Sequence, residues 1–153
     1  MPLGNLTSQF FANVYLNELD YFVKHQLRAK YYIRYVDDFV ILHETREQLT
    51  KWKEEINNFL NNKLRLTLHP DKSFIKYLSA GIDFVGFRNF YHHKFLRKRN
   101  ILSIKTKIKK YKEGKISYDK MLEIFQGWNA YAKWANSLMV RRRVVGMIYK
   151  TFD

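Results

Sequence analysis

Residues 31–42 read YYIRYVDDFVIL, and this stretch decides how the rest of the chain is interpreted. Aromatic and β-branched residues fill both of its ends, as in strands, and the acids Asp37 and Asp38 interrupt it at the centre. The pattern predicts two antiparallel strands joined by a tight turn. Because neighbouring side chains of a straight strand point to opposite faces, two adjacent carboxylates converge only where the backbone turns.

The carboxylate pair has two interpretations. Two carboxylates held close together repel, and one takes up a proton unless a cation neutralises the pair. Hard oxygen ligands at a compact site suit Mg²⁺. Asp-Asp is also ordinary turn chemistry, and composition alone favours that simpler explanation. The almost wholly apolar flanks of the turn instead favour a functional pair at the end of a buried hairpin.

Hydrophobic periodicity predicts the elements around the hairpin. Apolar residues at three- and four-residue steps predict a helix over residues 7–28. Thr45 followed by Gln48 has capping-box spacing and predicts that a second helix begins there and runs to Asn61. Alternation over residues 64–68 predicts a strand, which the turn residues 69–71 end.

The second half of the chain changes from strand to helix patterning. Residues 82–88 and 90–96 predict another strand pair, and helical spacing follows within residues 101–108, 121–135 and 144–152. The sequence therefore predicts an α+β fold in which an antiparallel sheet with helices is followed by a helical module.

Charge divides the chain in the same way. The 153 residues include 28 Lys and Arg and 14 Asp and Glu, a formal charge of +14, which indicates a polyanionic partner. Residues 1–90 hold 12 basic and 10 acidic side chains, and residues 91–153 hold 16 and 4. The shift predicts a nearly neutral first module and a cationic second one, with the boundary near Asn100.

Several classes of protein are excluded by composition. The absence of cysteine excludes disulfides, thiolate nucleophiles and Cys-based zinc sites. No apolar run approaches the ~18 residues of a membrane span, and no signal pattern opens the chain, so we expect a cytoplasmic protein with no membrane partner. His92-His93 has no Cys or acidic partner at metal spacing and is interpreted as a turn.

The stretch Tyr35-Val36-Asp37-Asp38 resembles the polymerase hairpin of reverse transcriptases, and other segments resemble that family's motifs in the family's order. Residues 2–9 resemble the loop and helix start that precede the hairpin. Lys72 matches a lysine downstream of it. Residues 81–87 resemble the strand pair that grips the primer terminus, and residues 127–136 the central thumb helix of bacterial retroelement polymerases.

The resemblance implies a partial polymerase palm over residues 1–99 and a basic helical thumb over residues 100–153. It implies RNA-directed DNA synthesis by Mg²⁺-dependent, two-metal nucleotidyl transfer, in which Asp37 ligates the metal and Asp38 ligates or supports it. Lys72 would lie near the leaving pyrophosphate; an exposed turn lysine is the alternative.

The resemblance also assigns residues around the nucleotide and template: Leu3, Gly4, Ser8, Gln9 and Tyr35. Leu3-Gly4 followed after three residues by Ser8-Gln9 is similar to the polymerases of diversity-generating retroelements, which copy with frequent errors opposite adenine. An apolar Leu3 would leave mainly shape to discriminate nucleotides. Alternatively, Leu3 is a packing residue, Gly4 a helix-entry glycine, and Ser8 a partner for a free amide.

Two further groups of residues would hold the primer–template duplex. Phe84, Gly86 and Phe87 would form the primer grip, although an aromatic-glycine strand is usually core packing. Phosphate contacts without sequence preference would come from Lys105, Lys109, Lys112, Arg141, Arg142 and Arg143. Lysines at this spacing also occur on solvated helix faces.

A polymerase of this family needs a further carboxylate on an upstream strand, and fingers that hold the triphosphate. The chain resembles the C-terminal half of the palm plus the thumb, so we expect it to be inactive alone and to need the upstream half of the same gene product. The implied partners are an RNA template, a DNA primer, a deoxynucleoside triphosphate and a small basic accessory protein, in a bacterial or phage setting. The competing hypotheses are a non-catalytic nucleic-acid-binding protein with a palm-like scaffold and a ribosomal-type RNA binder.

Overall fold

The computed structural model describes residues 6–149, which divide into two compact units at Lys76 and Tyr77. The first unit contains helix α1 (Leu6–Tyr21), strands β1 (Tyr31–Tyr35) and β2 (Asp38–Leu42), and helix α2 (Arg46–Phe59). The predicted hairpin and both predicted helices are confirmed. Thr45 does precede α2, but its side chain lies 3.1 Å from His43 Nδ1 and makes no capping bond, so the predicted capping box is wrong.

The hairpin has an inner and an outer face. Tyr31 and Ile33 are exposed on the outer face, whereas Tyr32 packs against the buried cluster below the sheet together with Phe39 and Ile41. That cluster is formed mainly by the two helices: Leu19, Val23, Ala29, Trp52, Ile56, Leu60 and Leu64. The period-2 pattern of the strands thus places one face on the helices.

Both helices of the first unit end in a π-helical turn, Phe22–Gln26 after α1 and Leu60–Leu64 after α2. A left-handed arginine stops each of them, Arg28 at φ 54° and Arg65 at φ 49°. Residues 65–69 then form no strand, so the strand predicted over residues 64–68 is wrong. The alternating leucines there reflect a π-helical turn followed by an irregular segment, which the period-2 pattern does not distinguish from a strand.

The second unit has three short strands followed by three helices. The strands are β3 (Ile82–Phe84), β4 (Phe87–Asn89) and β5 (Lys94–Leu96), paired antiparallel in that order, and a 3₁₀ turn (Leu78–Ala80) precedes them. The helices are α3 (Lys98–Lys112), α4 (Tyr118–Ala132) and α5 (Leu138–Tyr149). The predicted strand over residues 82–88 is split because Val85 and Gly86, at φ 47° and 81°, form a two-residue turn.

The helices of the second unit surround their own core, built on Ile104, Ile108, Met121 and Val144. The fold is α+β, as predicted. Residues 77–153 hold 17 basic and 5 acidic side chains, a net +12, so the excess of positive charge lies within the second compact unit. The division at Lys76 lies upstream of the boundary expected near Asn100, because β3–β5 belong to the same unit as the helices.

None of the helices within residues 6–149 is long and apolar enough to cross a membrane.

Candidate active site

The turn between β1 and β2 consists of Val36 and Asp37, and it is strained. Tyr35 and Asp38 are opposite each other as the last pair of the hairpin. Val36 has φ 55°, a left-handed conformation that is unfavourable for a β-branched residue. Strain of this kind persists only where surrounding structure enforces it, and it clusters at functional sites.

Both carboxylates of the turn are open to solvent. Asp37 and Asp38 are exposed, and neither side chain has a hydrogen bond or ion pair with any residue in the range 6–149. No group of three or more His, Cys, Asp or Glu side chains at metal-binding distance occurs among the described residues. The two carboxylates supply hard oxygen donors without a protein cation to neutralise them, which fits a divalent metal as partner.

Behind the turn, Arg34 binds Asp20 of α1 through two parallel hydrogen bonds. Nε donates to Oδ1 at 2.8 Å and Nη2 to Oδ2 at 2.5 Å. The Tyr32 hydroxyl donates to the same carboxylate at 2.6 Å. Arg34 Nη1 donates both to Asn13 Oδ1 at 3.0 Å and to the main-chain carbonyl of Val36 at 2.6 Å. This network, which we call the Arg34 network, connects helix α1 to the turn.

The Arg34 network changes the ionisation of its members. Burial alone would raise the pKa of Asp20, but the hydrogen bonds from Arg34 and Tyr32 and the guanidinium charge outweigh it and lower that pKa. Burial and the bond to Asp20 raise the pKa of Tyr32. The bond to Asp20 raises the pKa of Arg34. At neutral pH the network therefore consists of an ionised pair and a neutral phenol.

The remaining residues predicted near the nucleotide and template are dispersed. Leu3 and Gly4 lie outside the described residues. Ser8 is half-buried and Gln9 exposed in the first turn of α1, and Tyr35 is exposed at the end of β1. The Lys72 side chain is exposed in the turn after Pro70 and forms no hydrogen bond or ion pair with Asp37 or Asp38.

The predicted primer-grip residues surround the β3–β4 turn. Phe84 and Phe87 are its flanking pair, and Gly86 lies within it at φ 81°. The Tyr131 hydroxyl donates to Gly86 O at 2.8 Å, and Asn100 Nδ2 donates to the same oxygen at 3.2 Å. The Tyr131 and Phe87 rings stack with centroids 4.7 Å apart. A Cβ on residue 86 would lie on the Tyr131 hydroxyl.

The predicted duplex-binding residues differ in exposure. Lys105, Lys109 and Lys112 are exposed on α3, and Lys109 lies 3.9 Å from Glu113. Arg142 and Arg143 are exposed on α5. Arg141 is half-buried, with Nη1 3.4 Å from Asn129 Oδ1, so it also has a structural role.

Sequence reasoning missed the supporting residues of both turns. The pairing of Arg34 with Asp20 spans 14 residues and two elements, and Asn100 with Tyr131 spans 31. The alternation of β1 contains a usable signal, because an arginine on the inner face of a half-buried strand needs an acidic partner. Nothing in the sequence identifies which helical acid that is.

Comparisons with known proteins support the interpretation of the hairpin as part of a polymerase. A sequence model of the family "Reverse transcriptase (RNA-dependent DNA polymerase)" matches residues 1–89. The chain is 26% identical over 132 residues to Protein YkfC of Escherichia coli (strain K12), covering 65% of this chain and 33% of that protein.

Two intron proteins match shorter segments. The group II intron-encoded protein LtrA of Lactococcus lactis subsp. cremoris is 35% identical over 57 residues, 37% of this chain and 10% of LtrA. The putative COX1/OXI3 intron 2 protein of Saccharomyces cerevisiae is 34% identical over 61 residues, 39% of this chain and 7% of that protein. The chain thus spans a third or less of these relatives. Because the family match covers more than half of the chain and includes Asp37 and Asp38, the chain belongs to the reverse transcriptase family.

Proposed function

We propose that the chain is the part of an RNA-directed DNA polymerase that carries the catalytic hairpin and the primer-holding helices. The observation that carries this proposal is the strained turn at Val36, which presents two exposed carboxylates without a protein cation. Val85 in the β3–β4 turn also has positive φ, so what distinguishes the Val36 turn is that it presents two adjacent carboxylates without a cation to neutralise them.

Asp37 and Asp38 are the residues that would hold Mg²⁺. Bound there, the metal would stabilise the charge that develops during nucleotidyl transfer and would activate the primer 3′-hydroxyl. Tyr35, opposite Asp38, would lie beside the incoming deoxynucleoside triphosphate. Lys72 would act as a cation near the leaving pyrophosphate, and its exposure and lack of a side-chain partner among the described residues are consistent with that role.

The second unit would hold the product duplex of RNA template and DNA primer. Phe84, Gly86 and Phe87 would form the primer grip at the β3–β4 turn, where the backbone of Gly86 packs against the Tyr131 hydroxyl. The exposed cations of α3 and α5 supply phosphate contacts, and the net +12 of residues 77–153 supports such contacts. Non-catalytic duplex binding by this unit is the second candidate function, and the same charge supports it.

Within the reverse transcriptase family, we assign the chain to the polymerases of diversity-generating retroelements. This assignment rests on Leu3, Gly4, Ser8 and Gln9, which would contact the nucleotide and template base. An apolar Leu3 at that point would lower the discrimination between nucleotides, and the resemblance to this type implies errors opposite template adenine. A small basic accessory protein would be a further partner.

Primer extension with and without the missing parts of the polymerase tests the proposal. We expect this polypeptide to extend no primer alone, because the described residues contain two carboxylates at the turn and no third acid close to them. Co-expression with the upstream half of the same gene product should restore Mg²⁺-dependent extension of a DNA primer on an RNA template.

The controls separate catalysis from binding. Asp37→Ala in the restored complex should abolish extension and leave duplex binding unchanged, whereas Glu44→Ala, an exposed acid beyond β2, should change neither. Extension that survives Asp37→Ala would contradict the proposal. Duplex binding without extension in every combination would favour the non-catalytic function.

A further inference from the structure

We propose that Arg34 is a positioning residue that enforces the strained turn carrying Asp37 and Asp38. The inference rests on the proposed function, because it assigns Arg34 to the geometry of the same carboxylates. Arg34 would act through the backbone of Val36 and without contact to metal, nucleotide or primer.

The first step is the energetic cost of the turn. A β-branched residue with positive φ is sterically unfavourable, and a two-stranded hairpin alone does not offset that cost. Val36 is only half-buried, so packing of its side chain supplies little compensation. Some other contact must hold its peptide in place.

The Arg34 network supplies that contact. Nη1 of Arg34 donates to the Val36 carbonyl at 2.6 Å, while Nε and Nη2 are fixed by Asp20. The Arg34 side chain is 10% exposed. Leu19, next to Asp20 on α1, is 1% exposed in the core, so the network is anchored on a helix that packs into the core at this point.

Arg34 contacts neither carboxylate of the turn. Arg34 is opposite Phe39 in the hairpin, whereas Tyr35 is opposite Asp38, so Arg34 and Asp38 lie on opposite faces. Arg34 also forms no ion pair with Asp37. Its effect on the pair therefore passes through the main chain.

Only arginine satisfies this geometry. Its planar fork binds one carboxylate with two nitrogens and leaves Nη1 for the Val36 carbonyl and Asn13. A lysine keeps the charge but, as a single ammonium, does not reproduce the fork. Arg34→Lys thus separates the charge from the positioning.

The experiment measures the turn directly. In the isotope-labelled chain, the one-bond Cα–Hα coupling of Val36 reports the sign of φ, amide exchange reports the stability of residues 36–38, and Mn²⁺ line broadening reports metal affinity. We expect positive φ in the wild type. Arg34→Lys and Asp20→Asn should shift the coupling, accelerate exchange at the turn and weaken Mn²⁺ binding by roughly tenfold.

Two further variants distinguish positioning from general stability. Arg88→Lys makes the same change at an arginine that also binds an aspartate, Asp83, and should leave the turn unchanged. Adding Val36→Gly to Arg34→Lys should restore Mn²⁺ affinity, because glycine adopts positive φ without the steric cost. Asp20→Asn provides the milder variant should Arg34→Lys unfold.

The outcomes are distinct. An unchanged Val36 coupling and unchanged exchange in folded Arg34→Lys or Asp20→Asn would overturn the inference, as would a failure of Val36→Gly to restore the metal affinity that Arg34→Lys removes. A wild-type chain with the expected coupling but no broadening at Asp37 and Asp38 would count against the proposed function and not against the positioning of the turn.

Discussion

The Tyr131 hydroxyl donates a 2.8 Å hydrogen bond to the main-chain carbonyl of Gly86, which lies 45 residues earlier in the chain. Asn100 Nδ2 donates to the same carbonyl and to the Tyr131 oxygen, at 3.2 and 3.0 Å. The β3–β4 turn is therefore held by α3 and α4. Within the second unit, the proposed grip on the primer and the basic helices are thus one packed structure.

Alanine substitutions at two glycines should have opposite effects on stability. Gly86→Ala places a methyl group on the Tyr131 hydroxyl and a side chain at φ 81°, so we expect the free energy of unfolding of the second unit to fall by about 2 kcal/mol or more. Gly127 lies inside α4, and a Cβ added there would have open space around it, so Gly127→Ala should raise the free energy of unfolding by about 0.5–1 kcal/mol. Urea unfolding of both variants measures this difference, and equal effects would contradict the structure of the turn.

Removing the hydroxyl of Tyr131 should weaken the second unit modestly. Tyr131→Phe keeps the ring stacked on Phe87 but loses two hydrogen bonds, the one donated to Gly86 O and the one accepted from Asn100, so we expect a loss of about 1–2 kcal/mol in unfolding free energy. Tyr91→Phe is the matched control, because the Tyr91 side chain is 79% exposed. Urea unfolding that shows the same loss in both variants would argue against the hydrogen bond to Gly86.

The Arg34 network should make the first unit sensitive to acid. Folding lowers the pKa of Asp20 below its ordinary value of 3.8, so its contribution to stability is complete above that pH and is lost as the pH falls through the folded-state pKa. At neutral pH, Asp20→Asn should lower the free energy of unfolding by about 1–2 kcal/mol. The difference between wild type and variant should shrink below about pH 4 in a urea series, and a difference independent of pH would rule out the ionised carboxylate as its source.

The cations of α3 should set the salt dependence of duplex binding. Replacing Lys105, Lys109 and Lys112 by Gln removes up to three phosphate contacts, so the slope of log affinity against log salt should become less negative by roughly 2–3. Fluorescence anisotropy with an RNA–DNA hybrid at several salt concentrations measures this slope. The control replaces three exposed cations of the first unit by Gln: Arg46, Lys51 and Lys63. It removes the same charge and should change the slope much less. Equal slopes for the two triple variants would assign binding to net charge alone.

The hairpin was predictable because its signal is local. The pattern of residues 31–42 contains both the period of the strands and the acids that mark the turn. The helices were predictable for the same reason, from apolar residues repeated on one face. The strand predicted over residues 64–68 was wrong because Leu64 belongs to a π-helical turn and Arg65 adopts a left-handed conformation, and neither feature has a distinct sequence signature.

The supports of the turns were not predictable because they are long-range. The conformation of Val36 depends on Arg34 and Asp20, and that of Gly86 on Tyr131 and Asn100. A strand pattern shows that Arg34 faces inward, but only the packing of α1 against the sheet determines which acid meets it. The roles of Asp37, Asp38 and Lys72 remain proposals from the resemblance and the exposure of these side chains.

The central claim is that Asp37 and Asp38 hold a divalent metal, and Mn²⁺ titration of the labelled chain tests it most directly. We predict that substoichiometric Mn²⁺ first broadens the amide signals of residues 36–38, that Asp37→Asn with Asp38→Asn removes this effect, and that Glu44→Gln with Glu47→Gln does not. Broadening that begins elsewhere, or that persists in the double aspartate variant, would contradict the account.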